Sequence, residues 1–167
     1  MRHHWIESEL RKLGELILVL DDHLSEICDK SVSAEDADAF GLFDSAEHVT
    51  GLGFVTCQTY MATLCGALMI EKSRALNLGP RHLGGLTMVQ VINHAANYWK
   101  HNNEWALDKS ATRQEAIYRA FDSVGFPVGT DYPLSGVLTE LSGAFPAALK
   151  QLAPILEEWK AAMYNAA

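Results

Sequence analysis

The chain has 167 residues, 49% of them hydrophobic, which is long enough for a real core, and residues 1–167 are read as one domain. Lys plus Arg total 13 against Asp plus Glu at 21, a formal charge of -8 that disfavours free association with nucleic acid and leaves room only for a local RNA site. Cys28, Cys57 and Cys65 form no CxxC pair and lie in apolar surroundings, which points to reduced thiols in a cytosolic chain.

The start, Met1-Arg2-His3-His4-Trp5, runs straight into Glu7, Glu9, Arg11 and Lys12 and lacks the apolar core of a secretory signal, so a cytoplasmic protein is expected. A first helix is predicted over about residues 5–28, where Ile6, Leu10, Leu13, Ile17, Leu20, Leu24 and Ile27 recur at steps of three and four. Residues 29–45 break that pattern with Ser31, Ser33, Glu35, Asp36 and Asp38 and read as an exposed, solvated connection. Asp44 and Glu47 have the spacing of a capping box and predict a second helix running to about residue 76. Gly51, Gly53 and Gly66 each weaken it by about 1 kcal/mol, so the early glycines allow a later start. Gly51-Leu52-Gly53 lacks the strand, third glycine and lysine of a phosphate loop. The apolar run at residues 54–70 is interrupted by Thr56, Gln58, Thr59 and Thr63 and reads as a buried helix, with no membrane partner.

A third helix is predicted over about residues 83–105. Its residues Thr87, Gln90, His94, Asn97, His101 and Glu104 make one polar stripe. Val89, Ile92, Ala96 and Trp99 lie on the far side of the helix from His94 and form the side that packs. Thr112 and Glu115 are a second capping-box pair opening a short helix through Phe121, and the glycines and prolines of residues 125–133 predict an irregular loop. A fifth helix covers about residues 134–141. The last carries Leu149, Leu152, Leu156, Trp159 and Met163, with Pro154 either kinking or restarting it. No stretch alternates at period two. The fold class is therefore all-α, an antiparallel helical bundle of five to six helices.

The stripe gathers the residues that carry chemistry. His94, His101 and Glu104 are metal-ligand types, but His94 and His101 are separated by about 10.5 Å along a helix axis, and the sequence lacks the glutamates of a di-metal bundle. No metal and no cofactor is expected. Histidine titrates near neutrality, so His101 could act as acid or base when a ribose 2′-hydroxyl attacks its own phosphodiester, provided a cation offsets the phosphate charge. Aromatics at helical spacing, Tyr98, Trp99 and Trp105, read as core or dimer interface, and one left exposed near His101 could stack a base.

Ala96-Asn97-Tyr98-Trp99-Lys100-His101, placed after a long apolar helix, resembles the motif region of the HEPN family over roughly residues 5–121. Members are small helical bundles that often dimerise and in many cases cleave RNA. The family signature is an arginine, often followed by a polar residue, with a histidine four to six positions after the arginine. Asn97 and His101 match its later part, and Ala96 stands where the arginine would be. The resemblance implies a bacterial or phage conflict protein of the toxin–antitoxin or phage-defence kind, a homodimer with the face from His94 to Glu104 near its two-fold axis. His101 would be acid or base in a metal-independent endoribonuclease, Asn97 would orient phosphate or ribose, and Lys100 would supply charge. Arg74, Arg81 and Arg113 are other sources of a cation, and Glu71 or Gln58 on the preceding helix would complete the site, with Trp99 and His94 beside it. The alternative is a non-catalytic acidic module that holds a partner protein.

Overall fold

The computed structural model describes residues 2–105 and 111–166, without the side chains of residues 2–5 and 111–113. Seven α-helices are present among them: α1 (Arg2–Ser33), α2 (Leu42–Leu68), α3 (Lys72–Ala75), α4 (Met88–His101), α5 (Ala111–Ser123), α6 (Pro133–Ser142) and α7 (Ala153–Ala166). Short 3₁₀ turns at Asn102–Glu104 and Leu149–Leu152 complete the order. The described residues contain no strand, only two isolated bridges, Arg81 with Thr87 and Val128 with Thr130. Apart from the single-turn α3, this is an all-α bundle of six helices, and no described helix is long and apolar enough to cross a membrane.

The periodic apolar residues of α1 are the ones that disappear from solvent: Ile6, Leu13, Ile17, Leu24 and Ile27 are all buried. They pack on α2 in antiparallel register, with Leu24 sharing a groove with Ala46 and Thr50, and Leu13 sharing one with Thr56 and Tyr60. The α2–α4 pair is antiparallel too, because Gly51 meets Trp99 while Gln58 meets Asn93. So is α4–α5, where Tyr98 packs on Phe121 and Trp105 on Tyr118. Trp159 of α7 is wholly buried and donates its indole N–H to the carbonyl of Ala75 at 2.8 Å, which ties the last helix to α3.

Several boundaries differ from the sequence expectation. The first helix is longer at both ends, and Cys28 on it is exposed, whereas Cys57 and Cys65 are buried as small hydrophobes. The Asp44–Glu47 capping box does not form, because α2 begins at Leu42 behind Gly41, whose φ of 65° supplies the turn. The Glu47 carboxylate instead reaches α6, accepting from the backbone N–H groups of Leu134 at 2.6 Å and Ser135 at 2.8 Å. The second helix stops at Leu68, not near residue 76, where Met69 turns left-handed with φ 56° and α3 follows as a separate turn. The third long helix starts at Met88, five residues late, because Thr87 and Gln90 form a reciprocal cap that fixes the start. Pro154 lies in the first turn of α7, behind a 3₁₀ turn, so it restarts the helix. The Thr112 side chain, expected to open α5, lies outside the described residues.

Candidate functional site

The α4 stripe divides into three parts. Thr87 and Gln90 belong to the cap: Thr87 Oγ1 accepts from Gln90 N at 3.2 Å and Gln90 Oε1 accepts from Thr87 N at 2.8 Å, while the threonine hydroxyl donates to the Leu76 carbonyl. These two residues satisfy a helix end and are not free for chemistry.

The middle part is tied into the α2–α4 seam by Gln58, which is 7% exposed. Its Nε2 donates to Asn93 Oδ1 at 2.8 Å and to Asn97 Oδ1 at 2.9 Å, with a longer contact of 3.3 Å to the Asn93 carbonyl. Lys100 Nζ donates to Gln58 Oε1 at 2.6 Å. The amide orientation is dictated by its neighbours, since an ammonium can only donate and must face the amide oxygen, leaving Nε2 for the acceptors. Asn97 and Lys100 are therefore brought together around a buried glutamine. Burial and the charge of Lys72 together push the Lys100 ammonium below its usual value.

The third part lies at the helix end. His101 Nδ1 is 3.1 Å from Glu104 Oε2, an exposed i, i+3 contact across the 3₁₀ turn. His94, one turn back from Asn97, is half-buried, and its Nδ1 is buried with no hydrogen-bond partner. Burial first and Lys72 second hold its imidazole below the usual histidine value, so it is neutral at pH 7.

Ala96 is completely buried, so the position where the resemblance calls for arginine points into the core rather than towards Asn97 and His101. Nor do the other arginines stand in: Arg74 Nη2 donates to the Ala166 carbonyl and Arg81 Nη1 to the Gly85 carbonyl, each at 3.0 Å, and the Arg113 side chain lies outside the described residues. Glu71 is exposed at the start of α3 and accepts from Ser73 Oγ at 2.6 Å. A second cation besides Lys100 bears on the stripe: Lys72 of α3, which follows the break at Met69 and adds to burial in lowering His94 and Lys100, had no signal in the sequence. Asn93, buried at 6%, was equally missed. Among the described residues, no three metal-ligating side chains converge.

Trp99 faces away from the stripe. It packs on Gly51, where an added Cβ would lie 1.8 Å from its Cδ1, and meets His48 edge-on at 5.2 Å between ring centroids. With Tyr98, Asn102, Asp44, Asp131 and Tyr132 it lines a cleft of about 720 Å³ between the start of α2, the end of α4 and the loop before α6. The Tyr132 hydroxyl donates to the Asp38 carboxylate, and that bond, with the charges of Asp38, Asp44 and Asp131, pushes the phenol up to about 12.

The chain thus presents two regions of opposite character, a stripe held at its cap, on Gln58 and at its end with His94 Nδ1 left unpaired, and an acidic, aromatic cleft beside it. No protein-family model, curated protein or solved structure matches this chain.

Proposed function

We propose that this protein is a HEPN-like helical bundle that works as a non-catalytic module holding a partner protein, in the bacterial or phage conflict setting that the resemblance implies. The observation that carries this reading is the capture of Asn97 and Lys100 by the buried amide of Gln58. A group that orients phosphate has to be free to turn towards the ligand, and these two side chains are anchored to the α2–α4 seam, Asn97 through its Oδ1 and Lys100 through its ammonium. The acidic surface of a chain with formal charge -8 suits a basic protein partner. Dimerisation across the His94 to Glu104 face belongs to the same proposal.

A second reading keeps metal-independent RNA cleavage, with His101 as acid or base. The observation favouring it is that the charge of Lys72 adds to burial in lowering both His94 and Lys100, a positive charge beside the stripe that would offset phosphate charge without an arginine.

Asn97→Ala separates the two. The binding-module reading expects a loss of stability of about 1 kcal/mol from the broken seam bond, read by urea unfolding. Wild-type RNA cleavage that this variant abolishes at unchanged stability would overturn it.

A further inference from the structure

From His48 to Ile70 the sequence has no Asp, Glu, Lys or Arg, although these residues make up 20% of the chain. Part of that run is core, but Leu52, Val55, Thr59, Ala62, Gly66 and Met69 all reach the surface, the first two half-buried and the rest exposed. Alternating steps of three and four keep them in one line along α2, the spacing of a helix-pairing seam. Met69 is 81% exposed; Leu16 at 56% and Val19 at 66% extend the face onto the adjoining flank of α1, where Leu16 shares a groove with Val55 and Thr59. Elsewhere the outer sides of α1 and α7 carry charge in water, at Glu15, Asp22, Glu157 and Glu158. Gly66 has no purpose within the chain. Gly51, Gly53 and Gly136 make room for Trp99, Leu149 and Phe126, whereas a Cβ built on Gly66 has no atom of the described residues within 4 Å. Gly14 shares that property but lies on the far flank of α1, in the groove towards α7. A glycine inside a helix costs backbone entropy, and close approach of another chain is a use for it.

The line is complementary to itself. Antiparallel pairing about a two-fold axis between Thr59 and Ala62 sets Val55 against Gly66 and Thr59 against Ala62 of a second copy, larger against smaller. Leu52 meets Met69 at the ends, where helices crossing at about 20° have begun to separate. The same axis carries α1 onto the α1 of that copy. Glu9 and Lys12, paired at 2.6 Å beside Thr59 and Thr63, then face the opposite charges, Lys12 and Glu9. A chain with formal charge -8 repels its own kind over roughly 10 Å at 0.1 M salt, so two copies can meet only on a face without net charge. A basic partner would gain little there. Leu52 to Met69 spans about 26 Å, and with α1 the face is about 20 Å wide, so two faces cover roughly 1,000 Å² in projection, near the lower bound of specific interfaces. From these features we infer that α2 forms the seam of a homodimer, packed antiparallel on the α2 of a second copy about an axis between Thr59 and Ala62. This deepens the dimerisation named above and rests on it for there being a dimer. The α4 face borders the seam, since Lys100 holds Gln58 and Trp99 meets His48.

The test is sedimentation equilibrium of the full chain between about 1 and 100 μM, on wild type, Ala62→Glu, Gly66→Leu, Glu104→Arg on the α4 face, and Leu83→Glu as a control. All four positions are exposed, so the variants keep the fold, which circular dichroism checks. The expected result is a reversible wild-type dimer, weakened about tenfold or more by Ala62→Glu, which brings two carboxylates to the axis. Gly66→Leu should weaken it as well, although leucine adds apolar surface, because the helices can no longer approach. Leu83→Glu and Glu104→Arg should stay within about twofold of wild type. A dimer unaltered by Ala62→Glu, or tightened by Gly66→Leu, would overturn the inference. Loss confined to Glu104→Arg would overturn the α2 seam and leave dimerisation through α4 standing. A wild type monomeric throughout would remove both, and the binding-module reading is then judged by RNA cleavage alone.

Discussion

Replacing Gln58 with leucine removes the amide that joins α2 to α4 while keeping similar bulk. Asn93 is buried and loses the partner of its Oδ1, a cost of about 1 to 3 kcal/mol. Asn97 is half-buried and Lys100 exposed, so both recover water, and their lost bonds together cost roughly 1 kcal/mol. Greater burial of leucine's methyl groups returns about 1 kcal/mol, leaving a net loss near 2 kcal/mol. With a urea dependence of about 1 to 3 kcal/mol per molar, the unfolding midpoint falls by roughly 1 M. Gln58→Glu should cost less than leucine, because the Asn93 and Asn97 amides can turn their NH₂ groups towards a carboxylate that still pairs with Lys100. A leucine variant whose midpoint moves by less than about 0.2 M, or rises, would refute the reasoning, since the seam would then not depend on this amide.

Gly51→Ala forces a methyl group into the Trp99 ring and lowers stability by about 1 to 3 kcal/mol even though alanine is the better helix former; a raised melting temperature would show that Trp99 does not pack there. Glu47→Ala removes the cap of α6 and costs about 2 kcal/mol in urea unfolding, with a value below about 0.5 kcal/mol counting against the long-range cap. His94 has a folded pKa below its unfolded value, so it takes up a proton more readily when unfolded. Its contribution is complete above about pH 6.5 and is lost as pH falls from there through the folded pKa. Unfolding free energies between pH 8 and pH 5 should therefore fall less steeply on the acid side in His94→Gln, and an unchanged slope would mean that His94 titrates normally.

The parts of the fold that could be read in the sequence are those decided by local periodicity. The stripe of Ile6 to Ile27 and the buried set Val89, Ile92 and Ala96 each sit where a 3.6-residue period puts them, because burial of one face is what stabilises an amphipathic helix. What escaped was decided by groups distant in the chain. Glu47 looked like a local cap and serves a helix that starts 86 residues later. Gly51 and Gly53 looked like a weak helix start, and their reason is the approach of Trp99 and Leu149. Thr87 and Gln90 did carry a legible signal, the capping-box spacing, which their place in the polar stripe obscured. The candidate site was partly legible: Asn97 and Lys100 do come together on Gln58, whereas Asn93, which shares that amide, and Lys72, whose charge adds to burial in lowering Lys100, are reached only through the fold.

The decisive measurement is incubation of purified wild-type and His101→Ala protein with total RNA and with a tRNA pool, without added metal and then with EDTA. No cleavage by either protein is expected from a face whose Asn97 and Lys100 are bound to Gln58. Cleavage by wild type that survives EDTA and disappears in His101→Ala would contradict the binding-module reading and make His101 the catalytic acid or base.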